Sequence, residues 1–152
     1  MPLYLVRHAK AGNRSKWVGP DELRPLTKSG REQADRFAGE LADEPVTRIL
    51  SSPYVRCVQT VEPLARKRGV EVESVGALAE AGPFEPVLGL LTGLPDFSVL
   101  CSHGDLIPDT LSALTRRGMT VVGEPDFRKG SWWALYREGD TIVRGEPHAP
   151  LA

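Results

Sequence analysis

Leu3-Tyr4-Leu5-Val6, an unbroken apolar run that stops at Arg7-His8, decides how this chain folds. A strand with one face in water alternates apolar and polar residues, whereas a short continuous run suits a strand covered on both faces, as in a parallel sheet between helices. Phe97 to Cys101 repeats the pattern and stops at Ser102-His103. Thr47 to Leu50 is a third such stretch, leading into Ser51-Ser52-Pro53, and Val70 to Val75 reads as another short strand.

Helical patterns separate these runs. After a first loop rich in glycine and basic residues, Thr27 is placed to cap a helix in which Ala34, Phe37, Ala38 and Leu41 recur at helical spacing, ending before Pro45. Ser52 as N-cap and Pro53 at the first helical position open a second helix. Its expected buried stripe is Val55, Val58, Val61, Leu64 and Ala65, with Arg66-Lys67-Arg68 at its carboxyl end and Gly69 as a left-handed cap. Gly76 to Asp96 reads as a loop with one short helix around Pro86 to Leu91. A third long helix turns Leu106, Leu111 and Leu114 inward, with Gly118 past its end. Trp132 to Arg137 and Thr141 to Arg144 flank Glu138-Gly139-Asp140 as a hairpin, and the tail from Gly145 is expected to be extended and peripheral. The alternation predicts an α/β three-layer sandwich: a mostly parallel central sheet, helices on both faces and an antiparallel edge hairpin.

The 152 residues, 41% of them hydrophobic, suit one core, so a single domain over 1–152 is expected. With 19 Lys and Arg against 20 Asp and Glu, no whole-molecule field draws in nucleic acid or an anionic membrane, and any anion site must be local. Cys57 and Cys101 are the only cysteines; reduced thiols in a cytoplasmic setting are expected. The apolar start is too short for a signal sequence, and no stretch approaches a membrane span. Nothing in the pattern obliges the chain to be other than a monomer.

In open α/β sheets ligands bind beyond the carboxyl ends of the strands. Those ends present Arg7-His8, then Ser51-Ser52-Pro53 with Arg56 one turn later, then Ser102-His103-Gly104-Asp105. Taken singly, Arg7 suits a solvated edge and His8 a core histidine; two guanidiniums and two imidazoles at one edge describe an oxyanion cage suited to a phosphoryl group. Arg56 in a first helical turn also opposes the helix dipole, so its position calls for another benefit. No Asp-x-Asp, His-x-His or His-x-x-x-His pair supports a metal site, and no Walker phosphate loop occurs. Neither cysteine has an arginine six residues on: Pro63 follows Cys57 and Ile107 follows Cys101. Histidine remains as the nucleophile, with no metal or cofactor required, and Arg7 and Arg56 are expected to lower the pKa of His8 and keep its ring neutral. Lys10, Lys16 and Arg24 read by default as solvated loop residues, with steering of anions as the functional alternative. Trp17 reads as loop packing, Trp132 and Trp133 as core, and His148 receives no role.

Leu5-Val6-Arg7-His8-Ala9, Leu26-Thr27 with Gly30 and Gln33-Ala34, Ser51-Ser52-Pro53 with Arg56 and Gln59-Thr60, and Ser102-His103-Gly104 together resemble the histidine phosphatase superfamily, with its phosphoglycerate mutase-like fold. The resemblance spans most of the chain. It implies His8 as the nucleophile that takes the phosphoryl group, and Arg7, Arg56 and His103 as the other members of the phosphate pocket. Glu80 matches the family's proton donor, although it reads equally well as a solvated loop acid. Arg14, six positions after His8, has a secondary binding role by resemblance, and Ser102 and the amide of Gly104 could add hydrogen bonds. The length and Lys129-Gly130-Ser131 resemble the short SixA-type phosphohistidine phosphatases. Arg24-Pro25-Leu26 and Ser52-Pro53-Tyr54 with Arg56-Cys57 resemble phosphatase domains fused behind Nudix domains in some actinobacterial nucleotide hydrolases, though no Nudix box is present here.

The implied activity is metal-independent hydrolysis of phosphomonoesters, small phosphoesters including nucleotides, with dephosphorylation of phosphohistidine proteins as the alternative. The expected partner is accordingly a small phosphorylated substrate or a phosphohistidine protein, with no nucleic acid polymer and no membrane. A mutase-like phosphotransferase ranks lower, because Gly76 to Asp96 offers little material for a water-excluding lid. A non-catalytic phosphate-binding module ranks lower still, because the nucleophile position is retained.

Overall fold

The computed structural model describes residues 1–151. Its strands are β1 (Pro2–Arg7), β2 (Ile49–Ser51), β3 (Val72–Ser74), β4 (Val99–Ser102), β5 (Thr120–Val121), β6 (Trp132–Glu138) and β7 (Thr141–His148). The helices are α1 (Lys28–Glu40), α2 (Val55–Arg68), α3 (Glu85–Gly93) and α4 (Leu106–Arg116), with single 3-10 turns at Asp21–Leu23 and Gly76–Leu78. The sheet runs β3-β2-β4-β1-β6-β7-β5. Four pairings are parallel, and β6 pairs antiparallel with β1 and β7.

The continuous apolar runs divide their side chains between two cores, as a pleat of period two requires. Leu3, Leu5, Leu50 and Leu100 face α3 and α4, packing with Val87, Leu91, Leu106 and Leu111. Tyr4, Val6, Ile49 and Val99 face α1 and α2, packing with Phe37, Ala38, Val61 and Leu64. Each such buried aliphatic side chain contributes about 1.5–3 kcal/mol of transfer free energy. The register then sets the site, because Val6 lies opposite Cys101, Arg7 opposite Ser102, and Ser51 opposite Cys101. Strands β1, β4 and β2 therefore finish side by side.

Thr27 caps α1 by accepting from the Gly30 amide, and Gly69 closes α2 in the left-handed conformation at φ 66°. Elsewhere the structure departs from expectation. The hairpin is not an edge: β6 lies inside the sheet, and Trp132, Trp133, Ala134 and Leu135 are all buried, so that run needs cover on both faces. Residues 145–148 are not a peripheral tail but continue β7, where Gly145 lies so close to Met119 and Trp133 that an added Cβ would require those side chains to shift by a few tenths of an ångström. The edge beyond is β5, two residues too few to leave a periodic signal. His148 stacks on Trp132, the ring centroids 4.9 Å apart.

The start of α2 also differs. Tyr54, not Ser52, precedes its first residue, and no side chain caps it. The helix is rolled so that Arg56, Cys57 and Thr60 are buried, while Val55 and Val58 are only half-buried. The first turn faces the strand ends, where polar partners await Arg56, and these outweigh the burial of two valines.

Candidate active site

His8 follows β1 in a chain segment held from both sides. Its amide donates to the Ser102 carbonyl of β4 at 3.1 Å, and its carbonyl accepts from the Gly130 amide at 3.0 Å. The ring Nδ1 lies 2.8 Å from the Ala9 carbonyl. A carbonyl can only accept, so Nδ1 carries the hydrogen and Nε2 the lone pair. Burial pushes the His8 pKa down to about 3, with His103, Arg56 and Arg7 adding in the same direction. The arginines expected to lower it do so, but desolvation is the larger cause.

The loop after His8 is tied down by the motif residues that follow it. Thr60 accepts from the Ala9 amide at 3.0 Å, Gln33 from the Lys10 amide at 3.0 Å, and Gln59 from the Leu26 amide at 2.8 Å. Any side chain at Gly30 would collide with the Lys10 carbonyl, so helix α1 can approach this loop only with glycine there.

Arg56 is 0% exposed. Its guanidinium donates to the Asp21 carbonyl at 2.9 Å, to Asp21 Oδ2 at 3.0 Å and to Glu80 Oε2 at 3.2 Å, and packs over the Tyr54 ring. Asp21 also accepts from Arg24 Nε at 2.9 Å, and the two arginines hold its carboxyl below the usual carboxylate range despite desolvation. Arg24 is not the solvated loop residue its surroundings suggested: it is 4% exposed and also donates to the Gly12 carbonyl. Trp17 does pack within its loop, donating to the Pro20 carbonyl.

Arg7 donates to the Phe127 carbonyl at 2.7 Å. Burial lowers its pKa, and Asp105 opposes the shift. A Cβ at Gly104 would overlap the Arg7 guanidinium, so the glycine exists to let the backbone approach it. His103 shares a hydrogen bond of 2.8 Å between its Nε2 and Ser52 Oγ, with Cys57 Sγ 3.5 Å from the same nitrogen. Ser52 thus orients a histidine instead of capping a helix. The His103 ring meets that of His8 edge-on at 5.5 Å.

Glu80 sits among two guanidiniums and an imidazole: Oε2 lies 3.1 Å from Arg14, 3.2 Å from Arg56 and 3.6 Å from His103 Nδ1. It is therefore joined to the cluster, unlike a solvated loop acid. Arg14 is 65% exposed at the rim. Ser102 is placed otherwise than expected, its hydroxyl donating to the Leu78 carbonyl at 2.6 Å and so pinning the segment that carries Glu80. Asp21 was not singled out from sequence, and Lys129 was quoted only for the resemblance to SixA-type phosphatases, with no role at the site. Asp21 lies 35 positions from Arg56, and no short motif joins them.

Among the described residues three buried side-chain nitrogens have no hydrogen-bond partner: Arg7 Nε, Arg56 Nε and His103 Nδ1. All belong to this cluster, and such groups call for an anion or water as partner. A cavity of about 850 Å³ opens beside this cluster, its wall including Arg7, His8, Arg14, Glu80, Gly104 and Lys129, with Arg56 and His103 buried behind that wall. Among the described residues no group of three or more His, Cys, Asp or Glu could hold a metal ion. Among the described residues no helix is long and apolar enough to cross a membrane.

Residues 3–88 match the model of the histidine phosphatase superfamily (branch 1). An 8-oxo-(d)GTP phosphatase of Mycolicibacterium smegmatis (strain ATCC 700084 / mc(2)155) is 31% identical over 152 residues, covering 96% of this chain and 47% of that protein. The chain thus spans about half the length of this curated relative. Among solved structures, the protein histidine phosphatase SixA complexed with tungstate superposes with a TM-score of 0.77 at 21% identity, covering 100% of this chain and 97% of that one. A mycobacterial glucosyl-3-phosphoglycerate phosphatase in complex with VO3 gives 0.71 at 18% identity, covering 99% of both. At these identities the structures speak for the fold alone.

Proposed function

The chain belongs to the histidine phosphatase superfamily, and on that premise we propose that it is a metal-independent phosphatase that hydrolyses phosphomonoesters through a covalent phosphohistidine at His8. The observation that carries this reading is a neutral, buried imidazole with its Nε2 lone pair free, beside three buried nitrogens that lack partners.

In the first step Nε2 of His8 attacks phosphorus. The N–P bond forms, the bond from phosphorus to the leaving oxygen breaks, and Glu80 supplies the proton that oxygen needs. Arg7 and Arg56 neutralise charge on the transferring oxygens, and His103 adds a hydrogen bond from its ring. In the second step water attacks phosphorus, the P–N bond breaks, its electron pair returns to Nε2, and the proton from water passes to Glu80. The arriving dianion replaces Glu80 as the partner of Arg56 and His103.

The name of the Mycolicibacterium relative supports small phosphoesters, nucleotides included, as substrates. The likeness to SixA favours a second reading, a phosphohistidine protein as substrate. The open cavity favours hydrolysis over a mutase reaction. We read residues 1–152 as one catalytic domain, acting as a cytoplasmic monomer; the two buried thiols suit a reducing compartment.

The experiment is hydrolysis of p-nitrophenyl phosphate in excess chelator. Wild type is expected to turn over and to trap an acid-labile phosphoenzyme, and His8→Ala to do neither. Full turnover by His8→Ala, or dependence on added metal, would sink the mechanism.

A further inference from the structure

The residues that hold one phosphoryl group leave a cation over. Of the charged side chains that line the cavity, Arg7 donates to the Phe127 carbonyl, Arg14 pairs with Glu80, and Arg24 pairs with Asp21. Both carboxylates in the lining are engaged as well: Glu80 holds Arg14 and Arg56, and Asp105 accepts from the Ala81 and Leu106 amides. Lys129 alone has neither an ion pair nor a hydrogen bond among the described residues. Its neighbour Arg128 is drawn to Asp126 at 2.6 Å.

The position of Lys129 is built into the strand ends. The next residue, Gly130, donates its amide to the His8 carbonyl, and the Arg7 amide donates to the Ser131 carbonyl, so the turn is tied directly to the nucleophile's segment. Gly130 holds φ 86° against the Gln33 amide group, a conformation that a side chain would strain. Burial and then repulsion by Arg7, Arg24, Arg14 and Arg56 depress the Lys129 pKa, so the free protein holds this ammonium at a cost.

A cavity of about 850 Å³ is far larger than one phosphoryl group requires and is in the range that encloses a whole small ligand, so the leaving group lies inside it. Resting on the phosphatase reading above, we propose that Lys129 forms a second anion seat, and that the preferred substrate carries a diphosphate whose terminal phosphoryl goes to His8 while the adjacent phosphate binds Lys129 with Arg14. A lysine ammonium suits this as a point charge for phosphate. The chemistry balances: Nε2 of His8 bonds to the terminal phosphorus, the bond to the bridging oxygen breaks with its electron pair, and a phosphomonoester departs. Water then cleaves the P–N bond and yields orthophosphate.

The test uses ADP and AMP in chelator, two substrates that differ by one phosphate. Because the anhydride of ADP also has the better leaving group, the comparison is read in KM: wild type is expected to show a KM for ADP at least about tenfold below that for AMP, the size of one retained charge contact in a partly wet site. Lys129→Gln is expected to collapse that ratio, and Lys129→Arg to retain most of it. Calorimetric titration adds a readout that needs no turnover: inorganic pyrophosphate should bind wild type more tightly than orthophosphate, and Lys129→Gln should erase the difference. Equal KM for ADP and AMP in wild type, or a Lys129→Gln variant that keeps the pyrophosphate preference, would overturn the second seat. A pyrophosphate preference that depends on Lys129, in a protein that hydrolyses no phosphate ester, would leave the seat standing and defeat the catalytic reading instead.

Discussion

The inner wall of the cavity and its rim are built by opposite means. At the wall and just behind it, His8, Arg56 and His103 are buried and held by backbone carbonyls, hydroxyls and carboxylates, so their geometry is set before any substrate arrives. At the rim, Arg14 and Lys129 lie in solvent on long side chains, one of them with no partner. Burial strengthens each charge interaction and makes each broken one costly, whereas solvent at the rim weakens both effects. The proposed mechanism accordingly assigns the chemistry, which tolerates no misplacement, to the wall, and the proposed second seat assigns discrimination between leaving groups to the rim.

That contrast breaks first, if it breaks, at Arg56. Arg56→Ala strips Asp21 and Glu80 of a shared partner, and the expected outcome is a loss of about 3–5 kcal/mol of stability with at least about a thousandfold loss of kcat. Urea unfolding and steady-state hydrolysis of p-nitrophenyl phosphate would check this. A variant within tenfold of wild-type kcat would show that the wall does not do the chemistry.

Next in size is the pH dependence of stability. His8 has a folded pKa of about 3 against an ordinary value of 6.5, so between those values the unfolded chain binds the extra proton. The contribution of His8 is fully present above about pH 6.5 and is lost as pH falls toward 3. Carboxylates with lowered pKa values, such as Asp21 and Asp126, lose stability in the same direction but only at lower pH. Unfolding free energies measured from pH 7.5 down to pH 4.5 should therefore decline by a few kcal/mol in wild type and much less in His8→Gln. Parallel curves would show that His8 is not held neutral by the fold.

Gly104→Ala follows. The added methyl must displace the Arg7 guanidinium, at about 1–3 kcal/mol of stability and about a hundredfold in kcat/KM. Arg14→Ala is the smallest, with a stability change under about 0.5 kcal/mol because its ion pair is solvated. Its effect is expected chiefly in KM, and a large fall in melting temperature would place Arg14 with the wall.

The ends of β1 and β4 were legible because a buried strand announces itself by an unbroken apolar run, and the residues that follow such a run face the crevice in this class of sheet. Thr27, Gly69 and the inward leucines of α4 were legible for a similar reason, since capping and helical spacing are local. Illegible were the roll of α2, the use of Ser52 to hold His103, and the binding of Arg24 and Arg56 by one aspartate. Each depends on where a loop returns to the sheet.

By itself, the order of residues determined which segments are buried strands, which are helices, that Arg7, His8 and His103 stand at strand ends and that Arg56 lies in the helical turn after another, because backbone period and solvent exclusion act over a few neighbouring positions. Only the tertiary structure decided that β6 sits inside the sheet, that Ser102 anchors the Glu80 segment, and that Lys129 faces the cavity unpaired. Those outcomes turn on which distant groups satisfy one another once water is excluded, and no local spacing records that competition.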